Sequence, residues 1–418
     1  MDNRIAIVIY NYIQYLNIMP GAEELIRRGY KVDFYGLVTD DKNGFQDIFD
    51  DVINHLKEKG YKVYTKGKKV KYKILLEPYE SNLNINAKYN IRYRYAPISA
   101  KPDKVYLPHL FLKYDSVLCS GSYEARLLNN FTNTEIVDDL KYINFKKKDY
   151  KKDKKVLLYL PTYGEESSIE LILSELEKLK NDYYIIAKIH HGTCFLKEEK
   201  SRIDLVNKVV DECFDTHKEL KELLEISDVV LSDNSGSIFD AIYTGIPVAV
   251  VSNDINQNKK GDFNTTQYEL YKAGVLPYTS EIKNIKKVLE EALSKEIIDK
   301  QKRWNEEYFV HSKDPIGDFV NIIDKYLNDD IDVQSYLLRK EVKKEFYDNV
   351  GRANELWNKL DAEYKTTSNL SKENNVLREE NNLLKDKNSS LENELLYYRN
   401  GRLYKIANKI YKLKNGGK

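Results

Sequence analysis

A chain of 418 residues exceeds one ordinary hydrophobic core and predicts two globular units with additional helix. Lys and Arg total 67 against 66 Asp and Glu, so no global field argues for nucleic acid, while 42% hydrophobic residues exclude a disordered chain. Cys119, Cys194 and Cys213 have neither CxxC spacing nor an even count, which argues against a disulfide framework or a zinc site and suits a reducing compartment. The first apolar run, Ile5 to Tyr10, is too short for a signal sequence, and no stretch approaches the length that spans a bilayer. A cytoplasmic location is expected.

Arg4 to Tyr10 reads as a strand buried on both faces of a parallel sheet, Gly21 to Gly29 as a helix with a glycine stop, and Tyr30 to Gly36 as the next strand. This is a βαβ unit. A helix over Phe45 to Lys59 and strands at Tyr72 to Glu77, Ser116 to Ser120 and Glu135 to Val137 continue it, giving a first Rossmann-like domain over residues 1–140. Lys141 to Lys155 holds eight lysines against two aspartates, a run too polar to enter a core, and is taken as a basic linker, 141–155.

The alternation restarts at Val156, with strand Val156 to Leu160, helix Ser168 to Leu179 and strand Tyr184 to Ile189. Strand Lys208 to Glu212, helix Thr216 to Ile226, strand Asp228 to Leu231, a helix opening near Ser235, strand Pro247 to Val251 and helices near Thr265 and Ile282 complete a second such domain, 156–330. A helical stretch from Glu296 to Leu327 packs back across both domains in this reading. The fold class is α/β, two Rossmann-like domains facing a cleft, where open α/β sheets bind ligands.

After a helical segment at 331–365, leucines 370, 377, 384 and 391 recur every seven residues, with Asn374, Asn381, Asn388 and Leu395 at the other seam position. Glu373, Glu380 and Lys387 then face Arg378, Lys385 and Glu392 of a partner, three attractive pairs that favour a parallel homodimeric coiled coil over 366–398. A single solvated helix is the alternative. Residues 399–418 carry seven basic residues and no acid, with Leu403, Ile406, Ile410 and Leu413 on one face, so an amphipathic helix that seeks an anionic membrane surface is expected, or one that packs on the body.

The segment from Ile226 to Val251 runs strand, polar turn, helix, strand. Asn234, Ser235, Gly236 and Ser237 fall where the helix begins, so backbone N–H groups and small hydroxyls suit a diphosphate at the positive end of the dipole; Ser235 acting only as a helix cap is the bland alternative. Asp233, Ser235, Phe239 and Asp240 resemble the Asp-Tyr-Ser-Ser-x-x-Phe-Asp segment of the CDP-glycerol glycerophosphotransferase family, GT-B-type enzymes that build teichoic acids and related capsule polymers. Asn234 replaces that Tyr and Gly236 the second Ser. Leu157 to Thr162 is similar to the family strand ending in Ala-Pro-Thr. Lys188-Ile189-His190-His191 stands where Arg-x-His-Pro is usual, and Gly121 to Ala125 is similar to part of the first domain. The family's Trp-His-Gly with a following Lys has no counterpart between Tyr72 and Ser120; His109 lies in that part of the chain.

The resemblance implies transfer of glycerol phosphate, or a related polyol phosphate, from a CDP-linked donor to a hydroxyl of a membrane-associated polymer or lipid-linked acceptor. His190 and His109 are then the candidate catalytic residues, and Lys188, Asn234, Ser235, Gly236, Ser237 and Asp240 the donor-binding ones, with Asp240 holding the turn or meeting the ribose. No metal or tightly bound cofactor is implied, and the expected location is the inner face of the cell membrane. A GT-B glycosyltransferase using a sugar nucleotide, and a non-catalytic GT-B-like scaffold, remain alternatives. The zipper is tested by sedimentation, which should give a dimer for the full chain and a monomer for residues 1–365; monomer mass in both removes it.

Overall fold

The computed structural model describes residues 3–39, 43–94, 98, 111–150, 153–252 and 265–414. A body covering residues 1–340 and a helical unit, Glu341–Lys418, form two compact units. The body opens with β1 (Arg4–Val8), α1 (Tyr12–Arg27), β2 (Lys31–Tyr35), α2 (Phe45–Glu58), β3 (Val63–Tyr64), β4 (Tyr72–Glu77), β5 (Ala87–Arg92), β6 (Ser116–Cys119), α3 (Ser122–Leu128) and β7 (Asn133–Ile136). These strands form one parallel sheet in the order β3-β2-β1-β4-β5-β6-β7, with Ile7 opposite Phe34 and Leu76. Ile5 to Val8 are fully buried, as an apolar run covered on both faces must be.

The second sheet uses β8 (Lys155–Leu160), α4 (Ile169–Leu179), β9 (Tyr183–Lys188), α5 (His191–Phe195), α6 (Ser201–Val209), β10 (Glu212–Phe214), α7 (Leu220–Ile226), β11 (Val229–Ser232), α8 (Ser237–Thr244), β12 (Val248–Val251), α9 (Thr266–Lys272) and β13 (Tyr278–Thr279). It is also parallel, ordered β10-β9-β8-β11-β12-β13, with Leu158 opposite Val230. Both sheets are therefore Rossmann-like, and the body is a GT-B-like pair of such domains.

Several local expectations change. The first helix begins at Tyr12, not Gly21, because the Asn11 side chain caps it by accepting the Gln14 N–H at 3.0 Å; Pro20 and Gly21 obscure its first half in the sequence. The strand expected at Lys208 starts only at Glu212, since Ser201–Val209 is helical and buries Val206. Strands β3, β5 and β13 were not anticipated; β5 alternates Tyr89 and Ile91 with Lys88, Asn90 and Arg92, a charged pattern that hides its pairing. The run Lys141 to Lys155 was expected outside any core, yet Tyr142 is 5% exposed and belongs to the second core, two residues after Leu140 of the first. The lysine content of the run conceals this apolar residue.

The helical stretch expected from Glu296 to Leu327 consists of two helices, one on each domain. After α10 (Ile285–Ala292), α11 (Lys295–Tyr308) stays on the second domain, where Gln301 donates to the Val248 and Val275 carbonyls and Asn305 to those of Ile242 and Tyr243. The chain then crosses back, and α12 (Pro315–Leu327), capped by Asp314 on the Gly317 N–H, joins the first core through Phe319, Val320, Ile323 and Tyr326. The final helices are α13 (Val333–Asn400) and α14 (Arg402–Lys414). Leu370, Leu377, Leu384 and Leu391 are all more than half exposed on the single chain. Among the described residues no helix is long and apolar enough to cross a membrane.

The return of α12 demands a glycine. A Cβ on Gly21 would lie 2.4 Å from the Phe319 ring, which is 1% exposed. In an open helix Gly→Ala stabilises by roughly 1 kcal/mol, whereas overpacking a core costs about 1 to 3 kcal/mol. Gly21→Ala should therefore lower stability, read as an earlier urea midpoint with an unchanged slope; a later midpoint would show that Phe319 moves aside without loss.

Candidate active site

Strand order reverses between β1 and β4 in the first sheet and between β8 and β11 in the second, the places where open α/β sheets leave a crevice at their carboxyl ends. A cavity of about 410 Å³ lies there. Ile13, Leu16, Tyr79 and Arg94 line it from the first domain, and Thr162, Tyr163, Lys188, His190 and the Asn234 to Ser237 turn from the second. The Asp233 carboxylate, fully buried, accepts the Thr162 N–H at 2.8 Å and both the N–H and hydroxyl of Ser168 at 2.9 Å. It thereby joins the turn after β11 to the turn after β8.

Of the candidate residues read from the sequence, Lys188, His190, Asn234, Ser235, Gly236, Ser237 and Asp240 all line this cavity. His109 lies outside the described residues. The helix opens two residues later than expected, at Ser237, with Gly236 at the cap position in ordinary right-handed geometry, φ −62°. Ser235 still serves the first turn, since its Oγ accepts the Ser237 N–H at 3.3 Å and hydroxyl at 3.0 Å, and Ser237 also meets the Ser232 hydroxyl at 3.0 Å. Asn234 is buried and its Oδ1 accepts from the Gln267 amide.

Lys188 extends from the end of β9 and donates to the Asp215 carbonyl at 2.8 Å and that of Thr216 at 3.3 Å. Burial lowers its ammonium to about 8, against the pull of Cys194 and Asp215, so it is charged at neutral pH and only partly solvated. His190 Nδ1 accepts the Gly192 N–H at 3.0 Å, and its ring stacks on Tyr163 at 4.6 Å. Burial first and Lys188 second hold the adjacent His191 down to about 4.

Asp240 is not presented to a ribose as an unpaired carboxylate. Its Oδ1 lies 2.8 Å from Lys141 Nζ, with both side chains 7% exposed, and Asp139 Oδ2 is 3.6 Å from the same ammonium. Burial works against the Lys141 charge, yet Asp139 and Asp240 hold it above its usual value, while burial pushes the Asp139 carboxyl up to about 7. The pair ties the interdomain crossing to the first turn of α8. Lys141, Arg94 and Tyr163 are among the cavity residues that sequence reasoning missed. Lys141 was masked by the lysines after it, and Arg94 follows the unrecognised β5. Arg94 is itself held by Glu124 at 2.9 Å, with 7% and 1% exposure.

A larger cavity of about 700 Å³ lies behind the crossings. Its polar groups serve the hinge: Asp138 accepts the Ser312 N–H at 2.8 Å and the Tyr243 hydroxyl, and His311 bonds Asn305 at 2.6 Å. Chemistry is therefore assigned to the smaller cavity. Among the described residues no group of three or more His, Cys, Asp or Glu side chains is placed to hold a metal ion.

Two parallel-sheet domains with a polar, cation-bearing cavity at their facing switch points define a protein of the GT-B fold class. Residues 131–312 match the profile of the CDP-glycerol:poly(glycerophosphate) glycerophosphotransferase family. A teichoic acid poly(glycerol phosphate) polymerase of Bacillus spizizenii is 31% identical over 100 residues, 21% of this chain and 24% of that protein. The chain thus aligns with about a quarter of that curated relative's length. The wall teichoic acid polymerase TagF, in a variant structure with CDPG, superposes with a TM-score of 0.54 at 15% identity over 79% of this chain and 90% of that one. The S. aureus MnaA–UDP structure gives 0.52 at 14% over 78% and 97%. At these identities the two structures report the fold.

The low His191 value carries a stability consequence. Above about 6.5 both the folded and unfolded imidazole are neutral; as pH falls from there towards about 4, only the unfolded one binds a proton, so stability drops across that window. Urea midpoints taken from about pH 7 to pH 4 should fall less steeply in His191→Gln than in the wild type; parallel profiles would mean that His191 titrates normally in the fold.

Proposed function

We propose that this protein transfers a glycerol-phosphate group, or a related polyol phosphate, from a CDP-linked donor to a hydroxyl of a membrane-associated polymer or lipid-linked acceptor. The observation that carries the reading is the convergence of the Ser235–Ser237 turn, Lys188 and His190 on one cavity at the switch point of the second sheet. The N-terminus of α8 offers backbone donors and a positive dipole end, and the family match over 131–312 supplies the donor class.

In the proposed reaction the acceptor oxygen attacks the β-phosphorus in line with the bond to the α-phosphate oxygen. That bond breaks, CMP leaves with the electron pair, and the acceptor's proton passes to a base, for which His109 is the candidate. The turn and Lys188 hold the diphosphate, and His190 stabilises charge on the departing phosphate, an interaction that speeds the step because it strengthens as the charge develops. Ile13, Leu16, Tyr79 and Arg94 form the wall from which the acceptor approaches. The leucine-seamed α13 joins two copies, and the basic α14, with Ile406 and Ile410 exposed, attaches them to anionic lipid at the inner face of the membrane.

Thermal shift with CDP-glycerol, CDP-ribitol, UDP-sugars and CMP tests the donor. CDP-glycerol should stabilise most, by about 2.7 kcal/mol at one hundred times its Kd. Gly236 has a φ that valine adopts, so Gly236→Val should remain folded and lose the shift by blocking backbone approach, while Ser237→Ala should weaken binding by about 1.5 to 3 kcal/mol. Retained binding in folded Gly236→Val reduces the turn to a helix cap, and a preference for UDP-sugars moves the protein to the glycosyltransferases.

A further inference from the structure

We propose that Tyr163 and Gly192 are positioning residues that hold His190 as a neutral imidazole with its proton on Nε2. The inference rests on the reading that His190 meets the leaving phosphate of the donor. A neutral imidazole has one donor nitrogen and one acceptor. Nδ1 accepts the Gly192 N–H at 3.0 Å, so the proton belongs on Nε2, and His190 can donate a hydrogen bond there but cannot abstract a proton. It acts on the leaving phosphate without giving up its proton, and deprotonation of the acceptor falls to another group.

Two neighbouring rings restrain the ring plane. Tyr163 stacks on it at 4.6 Å with an interplanar angle of 19°, and the His191 ring lies 4.1 Å away at 31°. Tyr163 is seated because Gly192 has no side chain: a Cβ there would lie 2.6 Å from Tyr163 Cγ, closer than real contacts allow. The same glycine therefore supplies the N–H that selects the tautomer and the space that admits the ring that orients it. Tyr163 is 39% exposed, so core burial does not account for its placement. It follows Thr162, whose N–H is held by Asp233 at 2.8 Å, which connects the bolt between the two turns directly to the histidine. The competing account is that His190 merely caps the five-residue helix α5 and that Tyr163 fills a gap beside it.

The test is 1H–15N NMR of imidazole-labelled full-length protein, with His190 assigned through His190→Gln, alongside steady-state kinetics with CDP-glycerol. Wild type and Tyr163→Phe should show a protonated Nε2 and an acceptor Nδ1. Tyr163→Leu and Gly192→Ala should show mixed tautomers, with kcat reduced roughly 10- to 100-fold and KM changed by no more than about twofold, as for an interaction made in the transition state. An Nδ1–H tautomer in the wild type, unchanged tautomers in both variants, or a shifted tautomer without loss of kcat each overturns the inference. Failure of the wild type to bind CDP-glycerol overturns the donor reading instead, and the tautomer measurement still decides what fixes the ring.

Discussion

The arrangement of the cavity depends on one buried carboxylate. Asp233 stands at the carboxyl end of β11 and satisfies three donors from the turn after β8, at Thr162 and Ser168. Two parallel strands paired side by side fix only the level of their ends, not the paths of the loops that leave them. A carboxylate accepting from backbone and hydroxyl donors fixes those paths, because leaving any of these groups unsatisfied in the interior costs about 1 to 3 kcal/mol. The Ser235–Ser237 turn and Tyr163 are thus registered against each other before any ligand arrives.

A second constraint acts across the domain boundary. The first interdomain crossing delivers Lys141 to Asp240 in the first turn of α8, and the second is pinned where Asp138 accepts the Ser312 N–H. Val310 donates to the Ser120 carbonyl at 3.0 Å, and the close approach of the Tyr308 carbonyl leaves no room for a side chain on Gly121. The charges beside the cavity and the hinge between the domains are therefore parts of one network. A buried pair of this kind contributes little net stability compared with an apolar replacement.

Much of the fold was legible because central parallel strands leave short apolar runs. Tyr72–Glu77 and Lys155–Leu160 are bounded within one residue of where the sequence places them. The polar β5 was not legible, because Lys88, Asn90 and Arg92 flank and separate its two buried apolar residues, Tyr89 and Ile91. The turn from Asn234 to Ser237 was readable from small residues between a strand and a helix. The partner of Asp240 was not, because Lys141 is one of eight lysines in the run 141–155 and nothing local separates it, turned inward, from the exposed Lys146, Lys147 and Lys148. Tyr163 escaped notice for a similar reason: its place is created by Gly192, twenty-nine residues away, through a space and not through a motif.

The return of α12 makes the first domain discontinuous in the chain, with the second domain inserted between β7 and α12. All of the second sheet and its covering helices are translated before Phe319, Val320, Ile323 and Tyr326 exist to cover the α1 side of the first core. The apolar face around Gly21 therefore stays uncovered on the nascent chain after the inserted domain has all of its own residues. Ribosomal synthesis thus delivers a complete second domain first and an unfinished first domain beside it, the reverse of the N-to-C order in which contiguous domains mature. The surface awaiting α12 is where a holding chaperone would find its longest-lived apolar target.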